Sequence, residues 1–243
     1  MQLFNLANFL TLINLFSGCM AVVFAFNYQM ELVPYCVVIS LVADFFDGFA
    51  ARLTKNSTDI GKQLDSLADV VSFGVVPGVV LFELLFKKFE SGGVYYPVDR
   101  IYLYSAPAFL IPLFSALRLA KFNVDTRQTD SFIGLATPAM SIFVIGYELA
   151  FLHNSFGLAP FLFDEKLIYV VILALCGLMI AEIPMFSLKF KNYGWKGNEV
   201  VYLFIILSGI LLVTLKFAAI ALIIILYILV SIGLNMMRVE KSK

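Results

Sequence analysis

The chain predicts an all-α polytopic membrane protein of about eight transmembrane helices, and three observations carry that prediction. Of its 243 residues, 61% are apolar and only 14% charged, against about 25% charged in ordinary soluble domains. Eight apolar runs, near 9–26, 33–52, 67–86, 101–120, 133–152, 167–188, 200–215 and 217–237, approach the roughly 20 residues needed to cross a hydrocarbon core of about 30 Å. Short turn-rich stretches such as NYQMELVP and FESGGVYYPVDR divide them. A barrel would instead need shorter segments alternating at period two, so helices satisfy the backbone here.

Each run has its own features. Residues 1–8 carry no basic region, and no small-residue cleavage pattern follows, so run 9–26 is expected to be retained as the first span. The second run ends in Asp44 and Asp47, and Asp65 and Asp69 flank the start of the third. The fourth ends in Arg118 and Lys121, with Arg127 farther into the loop. The fifth holds Glu148 and ends at His153, the single histidine, expected at the interface. The sixth contains Glu182 and Pro184, and Glu83 falls in the third. Only Lys216 separates the last two runs, which demands a very tight turn. Cys19, Cys36 and Cys176 are widely spaced in apolar stretches and match no metal-ligand pattern. No repeat or low-complexity block is evident, so residues 1–243 are expected to form a single integral membrane domain, with the functional motif at 44–69.

Seventeen basic and seventeen acidic residues cancel, which removes any global electrostatic case for binding nucleic acid. Their distribution is uneven. With eight spans and both termini on one side, that side holds twelve cations: Arg52, Lys55, Lys62, Arg118, Lys121, Arg127, Lys189, Lys191, Lys196, Arg238, Lys241 and Lys243. The other holds five: Lys87, Lys88, Arg100, Lys166 and Lys216. Basic residues favour the cytoplasmic side, so both termini and the segment joining spans 2 and 3 are expected in the cytoplasm.

Asp44, Asp47, Asp65 and Asp69 lie within or beside apolar helices. A charge there costs at least about 2.5–3.5 kcal/mol on insertion scales, so such residues face a bundle interior or an aqueous cavity. The first pair is spaced i, i+3 and the second i, i+4, placing each pair on one helix face. Two neighbouring helices could bring all four carboxylates together. Hard divalent cations preferring oxygen, Mg²⁺ or Mn²⁺, would neutralise such a cluster, and two ions would suit four acids. Gly48, Gly61, Ala50 and Ala51 leave room for a bulky ligand, while Arg52 and Lys62 could meet phosphate oxygens, Arg52 with a fork suited to two of them. Together these point to phosphoryl chemistry. Two other readings of the acids are helix-end ion pairs with Arg52, Lys55 and Lys62, and a divalent-cation transporter. The confinement of the acids to one end of two spans counts against a conduction path.

The pattern Asp44-x2-Asp47-Gly48-x2-Ala51-Arg52-x8-Gly61-x3-Asp65-x3-Asp69 fixes eight typed positions within 26 residues. It resembles, without a departure, the motif of the CDP-alcohol phosphatidyltransferases. The resemblance implies a six-helix membrane core, here with two further helices, a homodimer, and a dinuclear metal site open to the cytoplasm. The flanks are similar to those of the family's serine-accepting members: Val70-Val71-Ser72-Phe73-Gly74-Val75-Val76-Pro77, Leu117-Arg118-Leu119-Ala120-Lys121-Phe122-Asn123, and Phe132-Ile133-Gly134-Leu135-Ala136-Thr137-Pro138-Ala139. The departures are Lys121, where arginine is commoner, and Ala136-Thr137 in place of the usual LPxP. NFLTLINLFSG near the amino terminus also looks familial, so recognisable segments cover most of residues 8–140.

What the resemblance implies is transfer of a phosphatidyl group from CDP-diacylglycerol, or a related CDP-lipid, to the hydroxyl of L-serine with release of CMP. Asp44, Asp47, Asp65 and Asp69 would then be metal ligands, and Asp69 also the general base. Gly48, Ala51 and Gly61 would admit the nucleotide, and Arg52 would face its phosphates. Thr11 and Asn14, at helical spacing in span 1, are candidates for the same cavity. Serine carries a carboxylate, for which Arg118 and Lys121 supply cations; the alternative for both is that they only set topology. The nearest alternative function is a sister enzyme accepting glycerol phosphate, inositol phosphate or another alcohol, and a phosphorylated acceptor would require further cations.

Overall fold

A computed structural model describes residues 5–54, 58–125, 132–188, 194–195 and 197–241. Six of the cations counted for orientation, Lys55, Arg127, Lys189, Lys191, Lys196 and Lys243, lie outside the described residues. The helices in chain order are α1 (Leu6–Phe26), α2 (Val33–Leu53), α3 (Asp59–Val70), α4 (Val76–Ser91), α5 (Val98–Ser105), α6 (Leu110–Val124), α7 (Thr137–Leu152), α8 (Ala159–Leu162), α9 (Glu165–Ile180), α10 (Glu199–Leu215) and α11 (Phe217–Lys241). No strand occurs among the described residues, and an isolated bridge pairs Ile133 with Pro184. The protein is an all-α membrane protein.

A π turn, Val71–Val75, joins α3 to α4 without a break, and a 3-10 turn, Ala106–Phe109, joins α5 to α6. The column Asp59–Ser91 is central. Its most apolar stretch is 78% buried, against 33% in each of the other four long apolar helices. Every residue from Val76 to Leu85 is buried, and around this wall pack Ile111 of α6, Met140 and Val144 of α7, and Ile168, Ile172 and Met179 of α9. Within a bilayer, lipid tails are as apolar as these side chains, so close van der Waals packing rather than expulsion of water holds them together.

The eight apolar runs all become helix, but their ends move. Among the described residues five helical stretches, Leu6–Phe26, Met30–Leu53, Asp59–Ser91, Val98–Val124 and Phe217–Met237, are long and apolar enough to cross a membrane unaided. Thr137–Leu152 and Glu199–Leu215 are apolar but shorter, and the 16 residues of α9 rise only about 24 Å. The run expected at 167–188 stops at Ile180 because Ala181 turns extended and Pro184 joins the bridge, so residues 181–188 cross the bundle end as a strap. The run at 133–152 shortens for the same reason. Gly134 has φ +76, and an added Cβ would sit 2.6 Å from the Met179 carbonyl, so the chain passes too closely for a side chain.

The division between the last two runs falls at Lys216, the single residue between α10 and α11, with φ 49. Phe204 and Tyr227, at similar distances on either side of it, have rings 6.1 Å apart, so the helices fold back on one another. His153 caps α7 with its ring stacked 4.0 Å from Phe217, a packing role at the bundle end.

Candidate active site

The acid cluster forms where α1, α2 and α3 meet. α1 presents Asn8, Thr11, Asn14, Ser17 and Gly18 along its buried face, a polar and small-residue stripe at helical spacing of the kind that lets membrane helices approach closely. α3 is capped by Thr58, whose hydroxyl accepts from the Gly61 amide at 3.0 Å, so the acids at 65 and 69 fall about two and three turns into the helix. Asp47 and Asp69 are buried and Asp44 and Asp65 half-buried.

Carboxylate oxygens of Asp44, Asp47 and Asp65 lie within 4.8 Å of one another. Asp44 also stands within hydrogen-bond reach of both Asp65 and Asp69. All four acids therefore converge from two helices. The first helix orients them from behind: Thr11 Oγ1 donates to Asp47 Oδ2 at 2.6 Å, and Asn14 Nδ2 donates to Asp69 Oδ1 at 3.1 Å. The Asn14 backbone carbonyl accepts from Ser40 of α2 at 3.1 Å and from Ser72 of the π turn at 3.0 Å. Ser40, Ser72 and Asn8, all buried, were not singled out from the sequence. Asn8 shares the spacing of Thr11 and Asn14 and could have been, but a lone serine in an apolar helix gives no signal.

The other expected residues fall around this centre. Over Gly48 the space is open: a Cβ there would meet only the Arg52 Nη1 at 3.9 Å, so the exposed Arg52 guanidinium leans across an empty helix face next to Ala51. Gly61 makes a closer contact with the protein itself, since a Cβ would lie 3.0 Å from Asn8 Oδ1. Lys62 donates to the Asn123 carbonyl at 3.1 Å, and Asn123 Nδ2 donates to Ser66 Oγ at 2.8 Å, bracing α3 against the end of α6. Lys121 is held by Glu182 at 3.1 Å on the exposed rim.

Arg118 differs from these. It is 6% exposed, lies with its guanidinium 5.6 Å and 5.9 Å from the Phe122 and Phe132 ring centres, and is an electrostatic neighbour of Asp69. Among the described residues its Nε and Nη2 have no hydrogen-bond partner. Those two nitrogens form one edge of the guanidinium, the edge that grips a carboxylate with two parallel bonds. A cavity of about 420 Å³ elsewhere, lined by Tyr28, Glu31, Glu83, Lys87, Glu148 and Phe151, contains none of these residues and opens at the opposite end of the bundle.

The pattern of the CDP-alcohol phosphatidyltransferase family matches residues 4–181, most of the chain. This chain belongs to that family. It is 33% identical over 208 residues, 85% of its length and 81% of the relative's, to the CDP-diacylglycerol–serine O-phosphatidyltransferase of Helicobacter pylori (strain ATCC 700392 / 26695). It is 32% identical over 202 residues to the enzyme of that name from Methanocaldococcus jannaschii, covering 77% of this chain and 89% of the relative. The archaetidylserine synthase of Methanothermobacter thermautotrophicus is 28% identical over 157 residues, 63% of this chain and 62% of the relative.

CDP-alcohol phosphatidyltransferases are generally dependent on divalent metals, and the residues here fit such ions. Three carboxylates share one small space, and Asp65 Oδ1 is buried with no hydrogen-bond partner among the described residues. A buried, unpartnered carboxylate oxygen among other carboxylates is costly unless a cation or a proton meets it. All-oxygen donors suit Mg²⁺ or Mn²⁺. The family match spans α1 to α9, in which α3–α4 and α5–α6 run on as single columns; the α10–α11 pair lies beyond it.

Proposed function

We propose that this chain is a phosphatidylserine synthase, transferring a phosphatidyl group from CDP-diacylglycerol, or an archaeal-type CDP-lipid, to the hydroxyl of L-serine with release of CMP. The observation that carries the acceptor is Arg118, a buried guanidinium beside Asp69 with one bidentate edge free. A carboxylate there would satisfy both nitrogens, and serine brings a carboxylate near the hydroxyl that must react. Relatives named for the serine reaction, at 32–33% identity over most of the chain, support the same reading.

The mechanism follows from where each group is held. Asp69 accepts from Asn14 through Oδ1, which fixes the carboxylate and leaves Oδ2 to take the serine hydroxyl proton. The serine oxygen then attacks the lipid-bearing phosphorus, the bond to the bridging oxygen breaks, and CMP departs with that electron pair. Divalent ions held by Asp44, Asp47, Asp65 and Asp69 would, when bound, neutralise the diphosphate and the charge developing on CMP. Arg52, over the open face at Gly48 and Ala51, is placed to contact the phosphates of the nucleotide; Gly48 keeps the approach clear, while Gly61 lets α3 pack closely against Asn8. Thr11 and Asn14 set the angle of the acids. Lys121, paired with Glu182, closes the rim of the serine site. The functional unit we infer is a homodimer in the cell membrane with the acid cluster facing the cytoplasm, supported by the 12-to-5 distribution of basic residues.

The decisive experiment is a mass-spectrometric product assay on purified protein with ester-linked and ether-linked CDP-lipids, Mg²⁺ or Mn²⁺, and competing alcohols. Serine is expected to be the acceptor incorporated. Arg118→Ala is expected to raise the serine KM at least tenfold, since charged hydrogen bonds contribute about 1.5–3 kcal/mol, while the KM for CDP-lipid stays within about twofold. An unchanged serine KM, or preferred use of a phosphorylated alcohol, overturns the reading.

A further inference from the structure

Phe132, whose ring lies against Arg118, is tied to a part of the chain outside the family match. The strap 181–188 crosses the mouth of the site and is fixed along its length. Glu182 pairs with Lys121 of α6 at 3.1 Å; the Ile183 carbonyl accepts from Gly134 at 2.9 Å; Met185 donates from its amide to the Phe132 carbonyl at 2.8 Å. Phe132 is the residue whose ring lies against the guanidinium. Both backbone groups of Phe186 are then claimed by α11: its amide donates to Ser231 Oγ at 3.2 Å, and its carbonyl accepts from the Tyr227 hydroxyl at 3.2 Å. Ser231 in turn donates to the Tyr227 carbonyl at 2.7 Å, and the Tyr227 and Phe186 rings are 4.9 Å apart.

We propose that Tyr227 of α11 is a positioning residue for acceptor recognition, holding the strap so that Phe132 and the strap wall keep the free edge of Arg118 aimed at the acceptor carboxylate. The inference rests on the serine reading above. Tyr227 is also an electrostatic neighbour of Arg118. Among the described residues the Nε and Nη2 of this cation have no hydrogen bond to define their direction; the guanidinium rests beside the Phe122 and Phe132 rings, themselves 5.7 Å apart. Its aim therefore depends on where those rings sit. The Phe132 ring is tied by its own carbonyl to Met185, and Met185 by its neighbour to α11. An acceptor with a carboxylate should feel any loosening of this chain, whereas the CDP-lipid, bound at the acids, should not.

The test is steady-state kinetics of CMP release on the full-length protein in detergent, varying serine and CDP-lipid separately. Tyr227→Phe, which deletes only the hydroxyl, is expected to raise the serine KM about threefold to tenfold, the range given by losing one net hydrogen bond. Its kcat at saturating serine and its KM for CDP-lipid should stay within about twofold. Ser231→Ala, which frees the Phe186 amide but keeps the phenol, should give the same split to a smaller degree, and serves alone if Tyr227→Phe is not recovered folded. A serine KM unchanged in folded variants, or an equal loss in both substrates and kcat, overturns the proposal and leaves phosphatidylserine synthesis standing. No serine-dependent CMP release by the unaltered protein removes both.

Discussion

At the scale of single residues, the four aspartates declare themselves because ionised groups inside apolar helices are expensive and helical spacing says which share a face. The residues that orient them are quieter. Thr11 and Asn14 could be picked out by their spacing, yet the sequence alone did not say which acid each would serve. The structure gives Thr11 to Asp47 and Asn14 to Asp69. The roles of Ser40 and Ser72 are illegible for a physical reason: both bond to the Asn14 backbone carbonyl, 26 and 58 residues away, and nothing local requires it. The Thr11 contact yields a sharp expectation. Groups that hydrogen-bond to metal ligands typically change metal affinity by 10–100-fold when removed, so Thr11→Val should raise the Mg²⁺ or Mn²⁺ concentration for half-maximal CMP release by about tenfold. The serine KM at saturating metal should be unmoved. A Thr11→Val protein with an unshifted metal requirement would show that the 2.6 Å bond does not tune the site.

At the scale of elements, the hydrophobic runs predicted every helix but not how their ends are cut. The sequence marks Asp69 as a residue near the start of a span, and the structure adds that a π turn follows it at once, widening the helix where Ser72 reaches back to α1. Gly18 makes that approach possible. A Cβ at Gly18 would lie 2.4 Å from Ser72 Oγ and 2.9 Å from Ser72 Cα, and the second of these is backbone that cannot rotate away. Gly18→Ala should therefore push α1 off the π turn, costing about 1–3 kcal/mol as overpacking does, and should lower both thermal stability in detergent and the rate. Gly209→Ala is the matched control. No atom lies within 4 Å of a Cβ there, and alanine is the better helix former, so stability should hold or rise. Equal melting temperatures for the two variants would mean that the α1–π turn contact is slack. The strap is not legible in the sequence because 167–188 is almost entirely apolar, with Glu182 its only charged residue. Pro184 alone does not say that the chain leaves the helix three residues earlier.

At the scale of the whole molecule, a net charge of zero conceals two opposed gradients. With eight spans, basic residues would favour the side where the acids also cluster by 12 to 5, and the acids there are the ones metal ions would neutralise. On the proposed function the two are linked: a charged donor such as a CDP-lipid would need a site on the side where nucleotides are present, and basic residues placed to meet its phosphates would also favour that orientation of the spans. The bundle end bearing Thr54 should then face the cytoplasm, and the loop between α4 and α5 the exterior. Single cysteines report this directly. Tyr95→Cys, at a residue 92% exposed in that loop, should react with a membrane-impermeant maleimide in intact cells, whereas Thr54→Cys, exposed at the end of α2, should react only after permeabilisation. The native thiols give little background, because Cys36 and Cys176 are buried and Cys19 lies well inside α1, away from the water that carries the reagent. Labelling of Thr54→Cys from outside, with Tyr95→Cys protected, would invert the orientation and place the acid cluster where no cytoplasmic nucleotide could reach it.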